Sequence, residues 1–287
     1  MNAHNPLVTV YIPTYNRVDL LKRAVESVLQ QTYKNLEVII VDDCSTDGTH
    51  AYLFEISKKE KRVHYFIKEN NSGACTSRNI AINNAHGEFI TGLDDDDYFL
   101  ENRIELFVEN RSKGILFSPI FIKTKYGINL RKVKHDMVSY SDLKKGNIVG
   151  NQIFIKTKYL KDIGGFDVRL KSWQDYDLWF RLLKKSHTFF NIFVPSYVMD
   201  MSHEKKRITT SSNAYCGYNQ FITKHFEDLS DQERKYLEFE DIKNRNARIT
   251  LNYMCKNFNF EILKYFFKFI IKNNFPKIYY FLVKRCF

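Results

Sequence analysis

Apolar positions in the first hundred residues follow two alternating periods. Residues 7–13, Leu7 to Pro13, alternate and are rich in β-formers, and they predict a first strand. From Asp19 to Gln31 the period becomes helical, with Leu20, Leu21, Ala24, Val25, Val28 and Leu29 on one face. Residues 36–41, Leu36-Glu37-Val38-Ile39-Ile40-Val41, are apolar enough to predict a strand buried on both faces. A helix over about His50 to Lys59, a strand over Val63–Ile67, a short helix over Ser77 to Ala85 and a strand over Phe89–Leu93 complete the series. Strands that alternate with helices predict a mostly parallel sheet flanked by helices.

Two of these strands run straight into carboxylates, Asp42-Asp43 after the second and Asp94-Asp95-Asp96-Asp97 after the fourth. In a parallel sheet both ends face the edge where ligands gather. Four adjacent acids repel one another and raise each other's pKa values unless a cation sits among them. A hard divalent cation shared with substrate phosphates meets that need, although a short acidic run also occurs as a solvated turn. The loop from Asp43 to Thr49 lacks the acid that a calcium loop requires at Phe54, and the chain has neither a GxGxxG segment nor a P-loop.

The pattern changes after residue 110. Ile115 to Ile122 is strand-like, a basic polar loop runs to about Lys145, and Gln152–Ile155 predicts another strand. Gly164-Gly165-Phe166-Asp167 is a turn signal. The helix that opens near Trp173 carries Asp175 and Asp177 in its first turn, where the helix dipole favours anions whether or not they have further work. A polar loop then presents His203, Lys205, Lys206 and Arg207. Ser230 and Glu233 form a capping-box pattern that starts a helix expected to reach about Lys256. In the tail, Lys264, Lys268, Lys272, Lys277 and Lys284 interrupt aromatic and aliphatic runs before any reaches the ~18 residues of a spanning helix. That pattern predicts helices lying on a membrane surface, with packing against the protein's own core as the alternative.

Charge sharpens the division. Residues 1–110 carry 11 Lys and Arg against 17 Asp and Glu, whereas residues 111–287 carry 33 against 16, for a net charge of +11 in all. The basic second part suits an anionic partner, and the acidic first part argues against nucleic acid. Five scattered cysteines without a CxxC pair suit a reducing compartment better than a disulfide framework or a zinc site. No signal-peptide pattern is evident at the N-terminus.

Taken in order, these segments resemble the family 2 glycosyltransferases of GT-A fold, over roughly residues 6–215. Residues 10–16 resemble the family's opening strand and nucleotide loop, residues 41–49 its most recognisable segment, and Asp94 to Asp97 its DxD element. Gln174-Asp175-Tyr176-Asp177-Leu178 resembles the segment that carries the base, with Gln174 where the family usually has Glu. The resemblance implies a Rossmann-like, mostly parallel α/β sheet with a C-terminal helical appendage. The expected division is a catalytic domain over 1–225 (nucleotide-sugar binding over 1–110, acceptor side over 111–225) and, outside what the resemblance covers, a helical, basic and aromatic membrane-associating region over 226–287 that rests on the tail's own pattern. The implied activity is inverting, metal-dependent transfer of a hexose from a UDP-sugar, with UDP-glucose or UDP-galactose favoured, to a lipid-linked or saccharide hydroxyl, leaving a β-linkage. The implied setting is O-antigen, capsule or lipopolysaccharide synthesis at the inner face of the bacterial cytoplasmic membrane. Acceptors would be polyprenyl-diphosphate-linked or saccharide.

The implied roles fall on named positions. Asp96, helped by Asp94, would hold Mn²⁺ or Mg²⁺. Pro13, Thr14, Tyr15, Asp43, Arg78, Asp94 and Asp95 would bind the nucleotide, and Asp175 would be the base. His203, Lys205 and Arg207 would close over the diphosphate or meet the acceptor. Two other classes fit the motifs less fully: a nucleotide-sugar-binding scaffold without catalysis, and a metal-dependent phosphoryl-transfer enzyme.

Overall fold

The structure is a computed structural model, and it describes residues 5–185, 187–203, 213–257 and 260–275. Its first half is β1 (Val8–Thr14), α1 (Val18–Leu29), β2 (Leu36–Asp42), α2 (Thr49–Lys59), β3 (Val63–Ile67), α3 (Ala74–Asn84) and β4 (Phe89–Gly92). There follow β5 (Tyr98–Phe99), α4 (Arg103–Glu109), β6 (Ile115–Phe117), β7 (Ile120–Thr124), β8 (Gly127–Arg131), β9 (Met137–Val138) and α5 (Tyr140–Leu143). Next come β10 (Phe154–Lys156), α6 (Thr157–Asp162), α7 (Gln174–Lys184), β11 (Phe189–Asn191) and β12 (Tyr197–Asp200). The last helices are α8 (Asn213–Lys224), α9 (Asp231–Asn244), α10 (Leu251–Lys256) and α11 (Phe260–Asn274).

Among the described residues the main sheet has the order β3-β2-β1-β4-β10-β6-β11-β9, and a smaller one the order β5-β12-β7-β8. Strands β3, β2, β1 and β4 are mutually parallel, so the ends of β1, β2 and β4 lie along one edge. Every residue of β1 and β2 is buried, including Glu37, whose carboxylate accepts from Thr9 Oγ1 and from the N–H groups of His86 and Gly87. Val10, Ile12, Val38 and Ile40 have no exposed surface, and each contributes about 1.5–3 kcal/mol by leaving water. The fold is therefore the mostly parallel, helix-flanked sheet that the alternating periods predict.

Three boundaries depart from the sequence reading. The strand-like run over 115–122 is two strands, β6 in the main sheet and β7 in the smaller one. Pro119 has no N–H to give a ladder, so the chain changes sheets at Ser118-Pro119. The polar loop before Lys145 contains β8, β9 and α5. The helix after Ser230 stops at Asn244; Asn246 takes φ 51°, and a new helix starts behind the Thr250 cap.

By its internal contacts the chain divides into two compact units. The first comprises the described residues of 5–143, 147–169 and 174–203, and both sheets lie in it. The second comprises 144–146, 170–173 and the described residues from 213 onward. In the second unit α8 approaches Ser172 so closely that a Cβ on Gly217 would sit 2.1 Å from the Ser172 hydroxyl. Trp173 there packs against Tyr218 and Phe221, with ring centroids 5.3 Å away in each case. The Ser230–Glu233 capping box forms in full.

Candidate active site

The loops that follow β1 and β2 brace one another. Asn16 and Cys44 both adopt left-handed backbone, at φ 51° and 67°. Asn16 N–H donates to Ser45 Oγ (2.7 Å), and Asn16 Oδ1 accepts from Thr46 N–H (2.7 Å). Asp42 holds the second loop from inside, accepting from Ser45 N–H (3.0 Å) and meeting His50 Nε2 at 2.8 Å. Asp43 is engaged as fully: Lys68 Nζ donates to it, and so do the N–H groups of Ser72 and Gly73, each at 2.9 Å. It thereby fixes the start of α3.

The run after β4 folds into a turn closed by Asp97 N–H to Asp94 O at 3.0 Å. The turn gives the four carboxyls different partners. Asp97 turns inward, accepting from Tyr197 Oη (2.7 Å) and from Asp200 N–H (2.9 Å). Asp95 accepts from Thr14 Oγ1 (2.8 Å) and from Arg17 Nη1 (3.1 Å). Burial nevertheless pushes it up to about 6, because desolvation and the Asp96 charge offset the Arg17 cation. Asp96 Oδ2 accepts from Arg17 Nη1 at 2.9 Å and lies 3.2 Å from His203 Nε2. Asp94 accepts from Arg78 Nη2 (3.0 Å), Asn151 Nδ2 (3.1 Å) and, at 3.4 Å, Gln152 Nε2.

Arg78, on α3, joins this edge to α7. Its second nitrogen, Nη1, donates to Gln174 Oε1 at 3.1 Å, and its plane lies 5.1 Å from the Phe166 ring. Asp175 follows Gln174 in the first turn of α7, inside the same unit. Its Oδ1 is buried with no hydrogen-bond partner among the described residues. Desolvation pushes its carboxyl up to about 7, against the pull of the Arg78 cation and with a push from the Asp94 charge. A carboxylate with one oxygen left open and a pKa near neutrality is equipped to accept a proton. Asp177, two residues on, is fully buried and pairs with Arg181 Nε at 2.8 Å.

Several of these residues escaped the sequence reading. Arg17 lies in a loop as one unremarkable cation, yet it stands between Asp95 and Asp96. Arg23 donates to the Asp96 carbonyl (2.5 Å) and to Asp200 Oδ2 (2.6 Å), and Lys123 reaches the same oxygen at 3.1 Å. Hydrogen bonds from Ser202, Lys123 and Arg23 outweigh burial and hold Asp200 well below the usual carboxylate range. Asn151, Gln152 and Tyr197 come from the second half of the chain, and no local pattern marks them. A missing side chain does leave a trace: a Cβ on Gly92 would meet Gln152 Oε1 at 2.1 Å and Tyr11 within 2.5 Å, so only glycine admits both. Of the other expected residues, Pro13 and Thr14 are buried, and Tyr15 is 44% exposed. Lys205 and Arg207 lie outside the described residues.

The comparisons with known proteins settle the family. The model of "Glycosyl transferase family 2" matches residues 9–165. The chain belongs to glycosyl transferase family 2. It is 33% identical over 267 residues to a putative colanic acid biosynthesis glycosyl transferase, WcaA, of Escherichia coli K12, covering 86% of this chain and 91% of that protein. It spans only 36–41% of the length of related uncharacterized glycosyltransferases from Rickettsia felis, Rickettsia bellii and Rickettsia conorii, which are longer. The fold matches that of Staphylococcus aureus TarS 1-349 in complex with UDP-GlcNAc (TM-score 0.66, 19% identity, 92% of this chain and 79% of that one). It also matches the mannosyltransferase PcManGT of Pyrobaculum calidifontis in complex with GDP-Man and Mn²⁺ (TM-score 0.52, 16% identity, 96% and 89%).

For this family 2 chain the fit to a divalent cation turns on Asp96 and His203. Among the described residues no three His, Cys, Asp or Glu side chains form a ready cage. Both ring nitrogens of His203 are buried without a hydrogen-bond partner among the described residues, and Nε2 lies 3.2 Å from the Asp96 carboxylate. A carboxylate and an imidazole would supply two donors to a divalent cation, and phosphate oxygens could supply others.

Proposed function

We propose that this chain is an inverting glycosyltransferase that moves a hexose from a UDP-sugar to a hydroxyl of a lipid-linked or saccharide acceptor in surface-polysaccharide synthesis. The observation that carries the reading is Asp175, a buried carboxylate without a hydrogen-bond donor at Oδ1 among the described residues, set beside Arg78 and so coupled to the acidic edge. The acceptor hydroxyl oxygen attacks the anomeric carbon while Asp175 takes its proton. The bond from that carbon to the diphosphate oxygen breaks, and the nucleoside diphosphate leaves with the electron pair. One displacement inverts the centre, so an α-linked donor gives a β-linked product.

Asp96 and His203 would hold Mn²⁺ or Mg²⁺, which supplies positive charge to the departing diphosphate. Asp94, the second proposed carboxylate, would have to exchange the Arg78 hydrogen bond for the ion. Pro13, Thr14, Tyr15 and Asp43 would line the nucleoside, and Arg78 and Asp95 would steady the acidic edge against the diphosphate. Lys205 and Arg207 would approach the diphosphate or the acceptor.

The TarS complex with UDP-GlcNAc supports a UDP-sugar donor, and the colanic acid relative supports a polysaccharide product. UDP-glucose or UDP-galactose remains our favoured donor and a polyprenyl-diphosphate-linked sugar our favoured acceptor. Residues 1–225 would carry out catalysis, and residues 226–287 would attach the protein to the inner face of the bacterial cytoplasmic membrane. No described helix is long and apolar enough to cross a membrane.

The test is incubation with a panel of UDP-sugars and a polyprenyl-diphosphate-linked GlcNAc, with UDP release and acceptor mass both measured. Matched UDP and glycosylated acceptor support transfer. Tight UDP binding with no product from any pair would favour a sugar-nucleotide-binding scaffold.

A further inference from the structure

Helix α11 is apolar on two opposite sides. On the inner side Ile262, 2% exposed, joins Phe239 and Ile249 in a small core. The Tyr265 ring stands edge-on to Phe239 at 5.8 Å, and its hydroxyl donates to the carbonyls of Ala247 (3.0 Å) and Ile242 (3.3 Å). Lys272 Nζ reaches Asn246 Oδ1 at 3.0 Å. These contacts use up the face that an amphipathic helix ordinarily buries.

The helical period places Phe260, Leu263, Phe267 and Ile271 in a second row, turned away from Ile262, Tyr265 and Phe269. Phe260 is 76% exposed and Phe267 is 56% exposed; Phe275, just past the helix end, is 55% exposed. One exposed phenylalanine is ordinary, but two on one side of a helix with a third just past its end mark an interaction surface. Lys264 and Lys268, both exposed, flank the row, and α11 carries three lysines against one glutamate.

We infer that this outward row of α11 is the surface that docks on an anionic bilayer. Phe260, Phe267 and Phe275 enter the boundary between headgroups and acyl chains, and Lys264 and Lys268 meet the phosphates. The inference rests on the membrane reading above and names the residues that perform it. Charge selects the occupant. Lysine stems can lie along the apolar row while their ammonium groups stay at headgroup level. A second copy seated on the same face would bring its own lysines against these. At fifteen residues α11 is about 22 Å long, which suits lying flat rather than spanning.

The experiment uses the full chain and vesicles of phosphatidylcholine with or without about a third of phosphatidylglycerol, read by co-sedimentation across a NaCl series. Lys264→Gln with Lys268→Gln should weaken binding to the anionic vesicles about thirtyfold at low salt. Phe260→Ser with Phe267→Ser should weaken it more than tenfold, with an unchanged melting curve. Sedimentation velocity of the wild type should give a monomer. If both double variants bind like the wild type, another segment holds the membrane: the α11 assignment is overturned and the membrane reading stands. Failure of the wild type to bind overturns both. A wild-type dimer that the phenylalanine variant splits identifies a second copy as the occupant, and a large fall in that variant's melting temperature identifies the chain itself; either result ends the proposal.

Discussion

Asp42-Asp43 and Asp94 to Asp97 end neighbouring regions of one sheet and look alike as sequence, yet the fold treats them differently. The first pair is surrounded by donors that belong to the scaffold: Ser45, His50, Lys68 and the N–H groups of Ser72 and Gly73. These carboxylates fasten two loops and the start of α3. Asp94, Asp95 and Asp96 of the second run are met by side chains from distant elements, Arg17 after β1, Arg78 on α3 and His203 after β12, while Asp97 is held inward by Tyr197 and the Asp200 N–H. Two backbone N–H groups as well as Lys68 fix Asp43 in place, whereas the Arg17 cation on Asp95 and Asp96 can be exchanged for a ligand of the same charge. An acidic cluster is therefore read by what faces it, and the length of the run says little.

The comparison is broken most forcefully from the α7 side. Asp175→Asn should lower turnover about 10²–10⁴-fold while UDP affinity by calorimetry stays within about threefold. Asp177→Asn should instead lower the melting temperature, because Asp177 is buried against Arg181, which also ties down the carbonyls of Ile163 and Gly165. Near-normal turnover in the first variant and a dead, well-folded second would assign the base to the wrong aspartate.

Asp96→Ala should cost about 10²–10³-fold in turnover, and added Mn²⁺ should not restore it. Chelation should silence the wild type and Mn²⁺ should revive it; full activity in excess chelator would remove the metal from the scheme.

A pH profile makes a finer distinction. Asp175 must be ionised to accept a proton, and burial raises its carboxyl to about 7. The rate kcat/KM should fall about tenfold per unit below that value and level off above it. The same shift acts on stability with the opposite sense. Between about pH 4 and pH 7 the unfolded chain ionises this group before the native state does, so its contribution to stability falls as pH rises. A flat profile from pH 5 to pH 8 would be inconsistent with this base.

Arg17→Met removes the cation that stands between Asp95 and Asp96, and should tighten Mn²⁺ binding about tenfold, or about 1.4 kcal/mol, by titration calorimetry. The smallest catalytic effect belongs to the other cluster. Asp42→Asn should cost about 1–3 kcal/mol of stability in urea melts and leave UDP affinity unchanged. Loss of UDP binding in a stable Asp42→Asn protein would erase the contrast between the two clusters.

The sequence by itself determined the frame. Strands β1, β2 and β4 were legible because they are buried on both faces and therefore mostly apolar, and α1 because its buried face recurs at the helical period. The carboxylates at two strand ends and the acids at the start of α7 were legible because charge next to an apolar run is costly and stands out. The Ser230 cap was legible because its two reciprocal hydrogen bonds are local. Tertiary structure alone decided which donors face which acid. Thr14 meets Asp95 across 81 positions, and Tyr197 meets Asp97 across 100. Asn151 meets Asp94 across 57. No local period records such pairs, since each follows from the order of strands in the sheet. The same holds for the break between β6 and β7, where a proline only permitted a change of sheet that packing then required. It holds for α11 as well: the sequence supplied two apolar rows, and only contact with α9 and the turn after it determined which row was covered.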